Sequence, residues 1–168
     1  VPVVNFLIRH SGTIPVDRAA GGDAYPVAVQ RLREGELVGV YPEATISRSF
    51  ELKEFKSGAA RMARDAGVPI IPLMVWGVHR IWTKDVPKRL GRTNFPIHIT
   101  IGDPIHVGPD DDVNEVTERL REVMKQLLDE TIAAYPTLTG DELRFHPARL
   151  GGTAPTYEDA WAKDHRDM

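Results

Sequence analysis

The sequence predicts an α/β fold, a mixed and largely parallel sheet flanked by helices. Two observations carry that expectation. Apolar, β-rich runs at 37–42, 69–77 and 97–105 alternate with segments of helical period at 23–34, 55–67 and 109–136. The 168 residues are 42% hydrophobic, which suits one domain able to bury roughly two-thirds of its unfolded surface.

The first run, "VPVVNFLIRH", reads equally as a strand or a buried helix, and "GTIPVDR" at 12–18 reads as a turn and a short strand. From Asp23 to Glu34, Val27, Val29 and Leu32 recur at helical spacing, and Gly35 is a natural stop before the strand "LVGVYP" at 37–42. The helix "FKSGAARMARDAG" at 55–67 gathers small apolar residues on one side and ends on Gly67. "PIIPLMVWG" at 69–77 then reads as a continuously buried strand, with Ile70, Ile71 and Leu73 inside. The strand "IHITIGDPI" at 97–105 alternates in its first half. The last helix is the clearest: Asp110 to Asp112 cap it, and Val113, Val116, Leu120, Val123, Met124, Leu127 and Leu128 form one stripe. Residues 1–134 therefore form the folded domain. Residues 135–168, rich in Gly and Pro, read as an extended tail packed through Leu143, Phe145 and Trp161.

Composition narrows function before any motif does. A net charge of −3 gives no global positive field, so nucleic acid is not an expected partner and an anion site must be a local patch. The absence of Cys removes thiol catalysis, disulfides and a Cys-bound zinc. The longest apolar run, "VPIIPLMVWGV", has eleven residues with two prolines, short of the ~20 a spanning helix needs. Neither G-x-G-x-x-G nor G-x-x-x-x-G-K-[ST] occurs, which weakens a nucleotide-binding reading, and no G-x-S-x-G elbow surrounds any Ser.

Chemistry-bearing residues cluster where chain direction changes. "YPEATISRS" at 41–49 places one carboxylate, three hydroxyls and one guanidinium directly after an apolar run. Such a cluster can bind an anion or orient a hydroxyl, and a guanidinium fork suits phosphate better than a lysine does. A basic stretch, "HRIWTKDVPKRLGR" at 79–92, interleaves Arg80, Lys84, Lys88, Arg89 and Arg92 with Trp82. It reads as a solvated loop or as a contact for anionic head groups or coenzyme phosphates.

Taken together, "GTIPVDR", "YPEATISRS" and "VPIIPL" resemble, in order, blocks II, III and IV of the glycerolipid acyltransferases, the 1-acylglycerol-3-phosphate acyltransferase family. "FKSGAARMA" between the last two is similar to the family's F-K-x-G-x-x-x-x-A helix. In block III, Ala44 replaces the family's Gly, and Ile46–Ser47 separate Thr45 from Arg48. This longer form, like "PARLGGTAP" at 147–155, resembles actinobacterial members.

The resemblance implies a glycerol-3-phosphate acyltransferase-like fold and transfer of a fatty acyl group from acyl-CoA or acyl carrier protein to lysophosphatidic acid or a similar lysophospholipid. It implies neither a metal nor a bound cofactor, and a peripheral place at the cytoplasmic face of a membrane. Arg18, Glu43, Thr45, Arg48 and Ser49 are the implied acceptor-binding residues, converging on one concavity. Arg18 and Arg48 would hold the phosphate, and Glu43 would accept a hydroxyl's hydrogen bond or fix an Arg. Pro69, Ile70, Ile71 and Pro72 are the implied acyl-lined wall.

The family's general base belongs to an H-x-x-x-x-D block preceding block II, whose His takes the acceptor hydroxyl's proton. Nothing before Gly12 supplies it: Pro15 follows His10 at the Asp position. His106 to Asp111 has the spacing but follows block IV, where helix-start chemistry accounts for it; His79 has its Asp six places on, and His98, His146 and His165 read as unpartnered. The expectation is a family member lacking that N-terminal block, with no catalytic residues of its own and inactive alone. The rival is a non-catalytic lipid- or phosphate-binding remnant of the same fold.

Overall fold

A computed structural model describes Ile14 and residues 24–166. Block II, including Arg18, lies outside the described residues except for Ile14. Helix α1 spans Ala24–Arg33. It ends where Gly35 and Glu36 donate back to the carbonyls of Leu32 and Arg31, at 3.1 and 3.0 Å, the paired bonds that close a helix C-terminus. Helix α2, Gly58–Ala66, ends on Gly67, whose N–H reaches the Ala63 and Arg64 carbonyls. Both helices lie where the period and the terminal glycine put them.

Strands β1 (Leu73–Trp76) and β2 (His98–Ile101) follow, and then helix α3 (Val113–Ala134). The Asp112 carboxylate caps α3, accepting from the N–H groups of Asn114 at 2.7 Å and Glu115 at 3.1 Å. The stripe buries Val116, Leu120, Leu127, Leu128 and Ile132. Its C-terminal half meets Met74 and Trp76 of β1 in one apolar cluster, closed by Tyr135 and edged by Phe50, Leu52 and Val123.

The sheet differs from expectation. Among the described residues it has two strands, and they pair antiparallel, with Leu73 opposite Ile101, Met74 opposite Thr100, Val75 opposite Ile99 and Trp76 opposite His98. A parallel pair needs a crossover, usually through a helix. The strand expected before α2, at 37–42, is unpaired among the described residues and leaves Leu37 96% and Tyr41 92% exposed. β1 is also shorter than the apolar run. Pro69 and Pro72 lack the N–H a ladder requires, so pairing toward the N-terminal side shrinks to an isolated bridge between Ile70 and Ile105.

Nor is that strand buried throughout. Burial alternates along β1 because α3 covers one face only: Met74 and Trp76 are inside, while Ile71 and Leu73 are each 46% exposed. Leu73 and Val75 share an uncovered face with Ile99 and Ile101. This is the alternating pattern of a sheet with one solvated side.

The described part of the expected tail, 135–166, carries regular elements. Two 3₁₀ turns, Gly140–Phe145 and Ala148–Leu150, lead to helix α4, Tyr157–Arg166. Phe145 is fully buried as expected, Leu143 is half-buried, and Trp161 is exposed, its ring stacked 3.8 Å from that of His165. The two glycines of "PARLGGTAP" have separate causes: Gly151 adopts φ +86°, and a Cβ on Gly152 would sit 1.9 Å from the His146 carbonyl oxygen. No helix among the described residues is long and apolar enough to cross a membrane.

Candidate anion-binding site

The loop from Tyr41 to Lys53 carries the expected cluster and is tied at both ends. A turn closes from the Ala44 N–H to the Tyr41 carbonyl at 3.2 Å, and the Lys53 N–H donates to Glu43 Oε2 at 2.9 Å. Ala44 adopts φ +58°, the left-handed region that a Cβ disfavours. The family's glycine at this position thus has a conformational cause, and Ala44 carries the strain of departing from it. Phe50 at +59° and Asp85 at +61° share the region, so three of the four described non-glycine residues with positive φ flank the cluster. Concentrated backbone strain is common where side chains must be aimed.

Three cations meet in this loop region. Arg48, 8% exposed, donates through Nε to Asp85 Oδ2 at 2.7 Å and pairs through Nη1 with Asp164 of α4. Lys53 pairs with the same carboxylate, and Lys84 reaches it at 3.0 Å while also donating to Thr45 Oγ1 at 3.1 Å. Burial pushes the Lys53 ammonium below its ordinary range, reinforced by Lys84 and Arg48 and opposed by Glu43. Asp85, bonded to Arg48 and Lys163, is held below the usual carboxylate range.

The expected residues divide into two roles. Arg48 and Thr45 point into the cluster. Glu43 serves the loop instead, bonded to the Lys53 backbone, and burial pushes its carboxyl up against the pull of that bond and of Lys53 and Arg121. Ser49, 1% exposed, has its hydroxyl 3.1 Å from that of Ser47 and accepts the Glu51 N–H at 3.4 Å. Of the wall residues, Pro72 is buried, Ile70 is half-buried, and Pro69 and Ile71 are exposed.

Sequence reasoning missed Lys53, Asp85 and Asp164. Lys84 was visible only as a member of the basic stretch, in which Arg80, Lys88 and Arg89 have separate duties. Arg80 and Arg89 converge on Glu142 at 2.9–3.2 Å and lie over the Phe95 ring. Lys88 sits 3.9 Å from the Trp82 ring centre.

No candidate base emerges among the described histidines. Asp111 accepts the Gly108 N–H at 2.9 Å, and the His106 carbonyl accepts from Arg119 at 2.9 Å, so this pair belongs to the turn before α3. His98 and Asp103 have the same spacing, which the reading of the motifs passed over. Five residues along an extended chain put two side chains on opposite faces, and the His98 ring packs edge-on against Tyr135 at 5.0 Å. His79 is enclosed by Trp76 and Phe50, with Nε2 at 3.0 Å from the Phe145 carbonyl oxygen. Burial lowers its pKa to about 4, so the ring is neutral and Nε2–H donates. Among the described residues no three His, Asp or Glu side chains form a group able to hold a metal.

The chain is similar to known acyltransferases. The acyltransferase family model matches residues 1–76, which include the site loop. The 1-acyl-sn-glycerol-3-phosphate acyltransferase of Haemophilus influenzae is 32% identical over 143 residues, 79% of this chain and 57% of that protein. That of Borreliella burgdorferi is 27% identical over 135 residues, 79% of this chain and 50% of that protein. The crystal structure of the 1-acyl-sn-glycerophosphate (LPA) acyltransferase PlsC from Thermotoga maritima superposes with a TM-score of 0.63 at 25% identity, covering 82% of this chain and 54% of that one.

The chain is similar to the PlsC-like acyltransferases. It spans about half the length of these PlsC-like relatives. In this chain the loop that resembles block III frames the cation cluster, with Ala44 at the position of the family's glycine.

Proposed function

We propose that this chain carries the acceptor-binding part of a 1-acyl-sn-glycerol-3-phosphate acyltransferase of phospholipid biosynthesis. The acceptor is lysophosphatidic acid or a similar lysophospholipid, the donor is acyl-CoA or acyl carrier protein, and no bound cofactor takes part. One observation supports this above the others: Arg48, Lys53 and Lys84 converge on a single anionic group from the block III loop and the basic stretch. A phosphomonoester offers three oxygens to such a cluster, and charge-assisted bonds to it are the strong kind.

Arg18 supplies a further cation from block II. Thr45 contacts the glycerol backbone, and Glu43 and Ser49 hold the loop in shape. Pro69, Ile70, Ile71 and Pro72 line the path of an acyl chain, supported by the exposed apolar side of Ile71. The domain works at the cytoplasmic face of a membrane, where acceptor and product reside.

A second reading, a lipid- or phosphate-binding remnant without turnover, is favoured by one observation. Of the two H-x-x-x-x-D spacings among the described residues, one has its Asp111 bonded into the turn before α3 and the other has its His98 ring packed on Tyr135. We infer that these 168 residues alone bind the acceptor but transfer no acyl group. A general base is worth ~10²–10⁴-fold in rate, while the phosphate contacts need none. The test measures acceptor binding and thioester consumption in parallel. Binding without turnover is expected; robust turnover abolished by His106→Ala would place the base at His106 and overturn the inference.

A further inference from the structure

Asp164 is absent from the family resemblance, yet it is the best-bonded carboxylate at the site. Its Oδ1 is taken by Arg48 and by Lys84 at 3.0 Å, and its Oδ2 by Lys53. Side-chain exposure is 13% for Asp164, against 7% for Arg48, 17% for Lys53 and 30% for Lys84. The contacts span 116, 111 and 80 residues of sequence, so they exist only because α4 returns to the block III loop. One singly charged group thus engages three cations, where a phosphomonoester would bring a charge near −2.

Among the described residues, helix α4 has little else to hold it. Ala160 is its one buried side chain, Trp161 is 54% exposed, and beside Asp164 the Lys163–Asp85 pair at 3.0 Å is a half-exposed ion pair of the kind worth little. Lifting α4 would cost chiefly the Asp164 contacts, which an incoming phosphate would replace.

We propose that Asp164 is a built-in competitor for the phosphomonoester seat formed by Arg48, Lys53 and Lys84, and that α4 leaves the seat when the acceptor's phosphate enters. This rests on the reading of the cluster as the acceptor's phosphate site. The helix acts as an internal cap, so acceptor binding and release of α4 are a single event. Removing the competing charge tightens phosphate binding without adding a contact, because the free state no longer has to give up an ion pair.

The experiment titrates inorganic phosphate and glycerol 3-phosphate into the full chain, Asp164→Asn, Ala160→Arg and Asp164→Asn/Lys84→Met, with amide hydrogen exchange followed over 157–166. Ala160→Arg dislodges α4 through its apolar anchor and leaves Asp164 in place, so it serves as the independent variant. Both single variants are expected to bind about tenfold tighter than the parent chain, and the double variant is expected to lose that gain. In the parent chain, phosphate should accelerate exchange in α4. Equal affinity of parent and Asp164→Asn, with exchange in α4 unchanged and Asp164→Asn/Lys84→Met binding more weakly than both, would overturn the competitor and leave the seat standing. Absence of phosphate binding in every variant would overturn both the seat and its competitor.

Discussion

His79 links the stability of this fold to pH in a way that can be worked from its surroundings. Burial lowers its pKa from 6.5 to about 4, with Arg80 and His146 adding to the shift and the Phe145 carbonyl opposing it. The folded chain therefore keeps His79 neutral where the unfolded chain takes up a proton. Its contribution is complete above pH 6.5 and is lost as pH falls toward 4. At about 1.4 kcal/mol per tenfold difference in proton affinity, the loss by pH 4 is about 3 kcal/mol, a large part of a typical domain's margin.

The control is His79→Gln, which keeps an N–H for the Phe145 carbonyl but does not titrate. Urea unfolding of both proteins from pH 7.5 to 4 should show the parent falling about 3 kcal/mol further than the variant. Parallel curves would refute the enclosed, neutral His79 on which this reasoning rests. The comparison must be differential because Glu43 works in the opposite direction.

Three further outcomes follow from the site loop and the tail. Burial raises the Glu43 carboxyl, so the folded state holds its proton more tightly and stability falls as pH rises from about 4.5 through the folded pKa; Glu43→Gln should remove that fall in unfolding curves between pH 4.5 and 7.5. Ala44→Gly should raise stability by about 0.5–1 kcal/mol at pH 7, since it relieves a left-handed φ of +58° at the smaller cost of glycine's unfolded-state entropy. Gly152→Ala should cost about 2 kcal/mol in chemical denaturation and accelerate hydrogen exchange over 143–154, because the new Cβ meets the His146 carbonyl.

What the sequence discloses depends on whether its signal is local. The stripe of α3, its Asp112 cap and the stops at Gly35 and Gly67 each follow from a few adjacent residues, and all appear where expected. Block III was equally legible, and the family's glycine at position 44 now has a backbone conformation to explain it, one that Ala44 adopts under strain. Strand direction is not local. An apolar run does not state which chain it pairs with, so 37–42 passed for a strand although no ladder forms on it among the described residues, and the sheet was expected to be largely parallel whereas β1 and β2 pair antiparallel.

The anion site was half legible for the same reason. Arg48 and Thr45 sit in the quoted motif. Lys53 stands just beyond it and Lys84 lay among five cations of a basic stretch. Asp164 sits in a ten-residue helix with one buried side chain, too polar for its period to stand out. Only the fold reveals that three of these charges share one carboxylate.

The most direct test of the central claim is the affinity of this chain for a short-chain lysophosphatidic acid below its micelle threshold. It should be compared with a lysophosphatidylcholine of the same chain and with the Lys84→Met variant. Charge-assisted hydrogen bonds are worth roughly 1.5–3 kcal/mol each, so losing the Lys84 ammonium should weaken the phosphomonoester about tenfold or more. The phosphodiester, with one charge and fewer free oxygens, should bind more weakly throughout and respond less. Equal affinity for the two lipids, or lysophosphatidic acid binding indifferent to Lys84→Met, would contradict the assignment of Arg48, Lys53 and Lys84 as the phosphate seat.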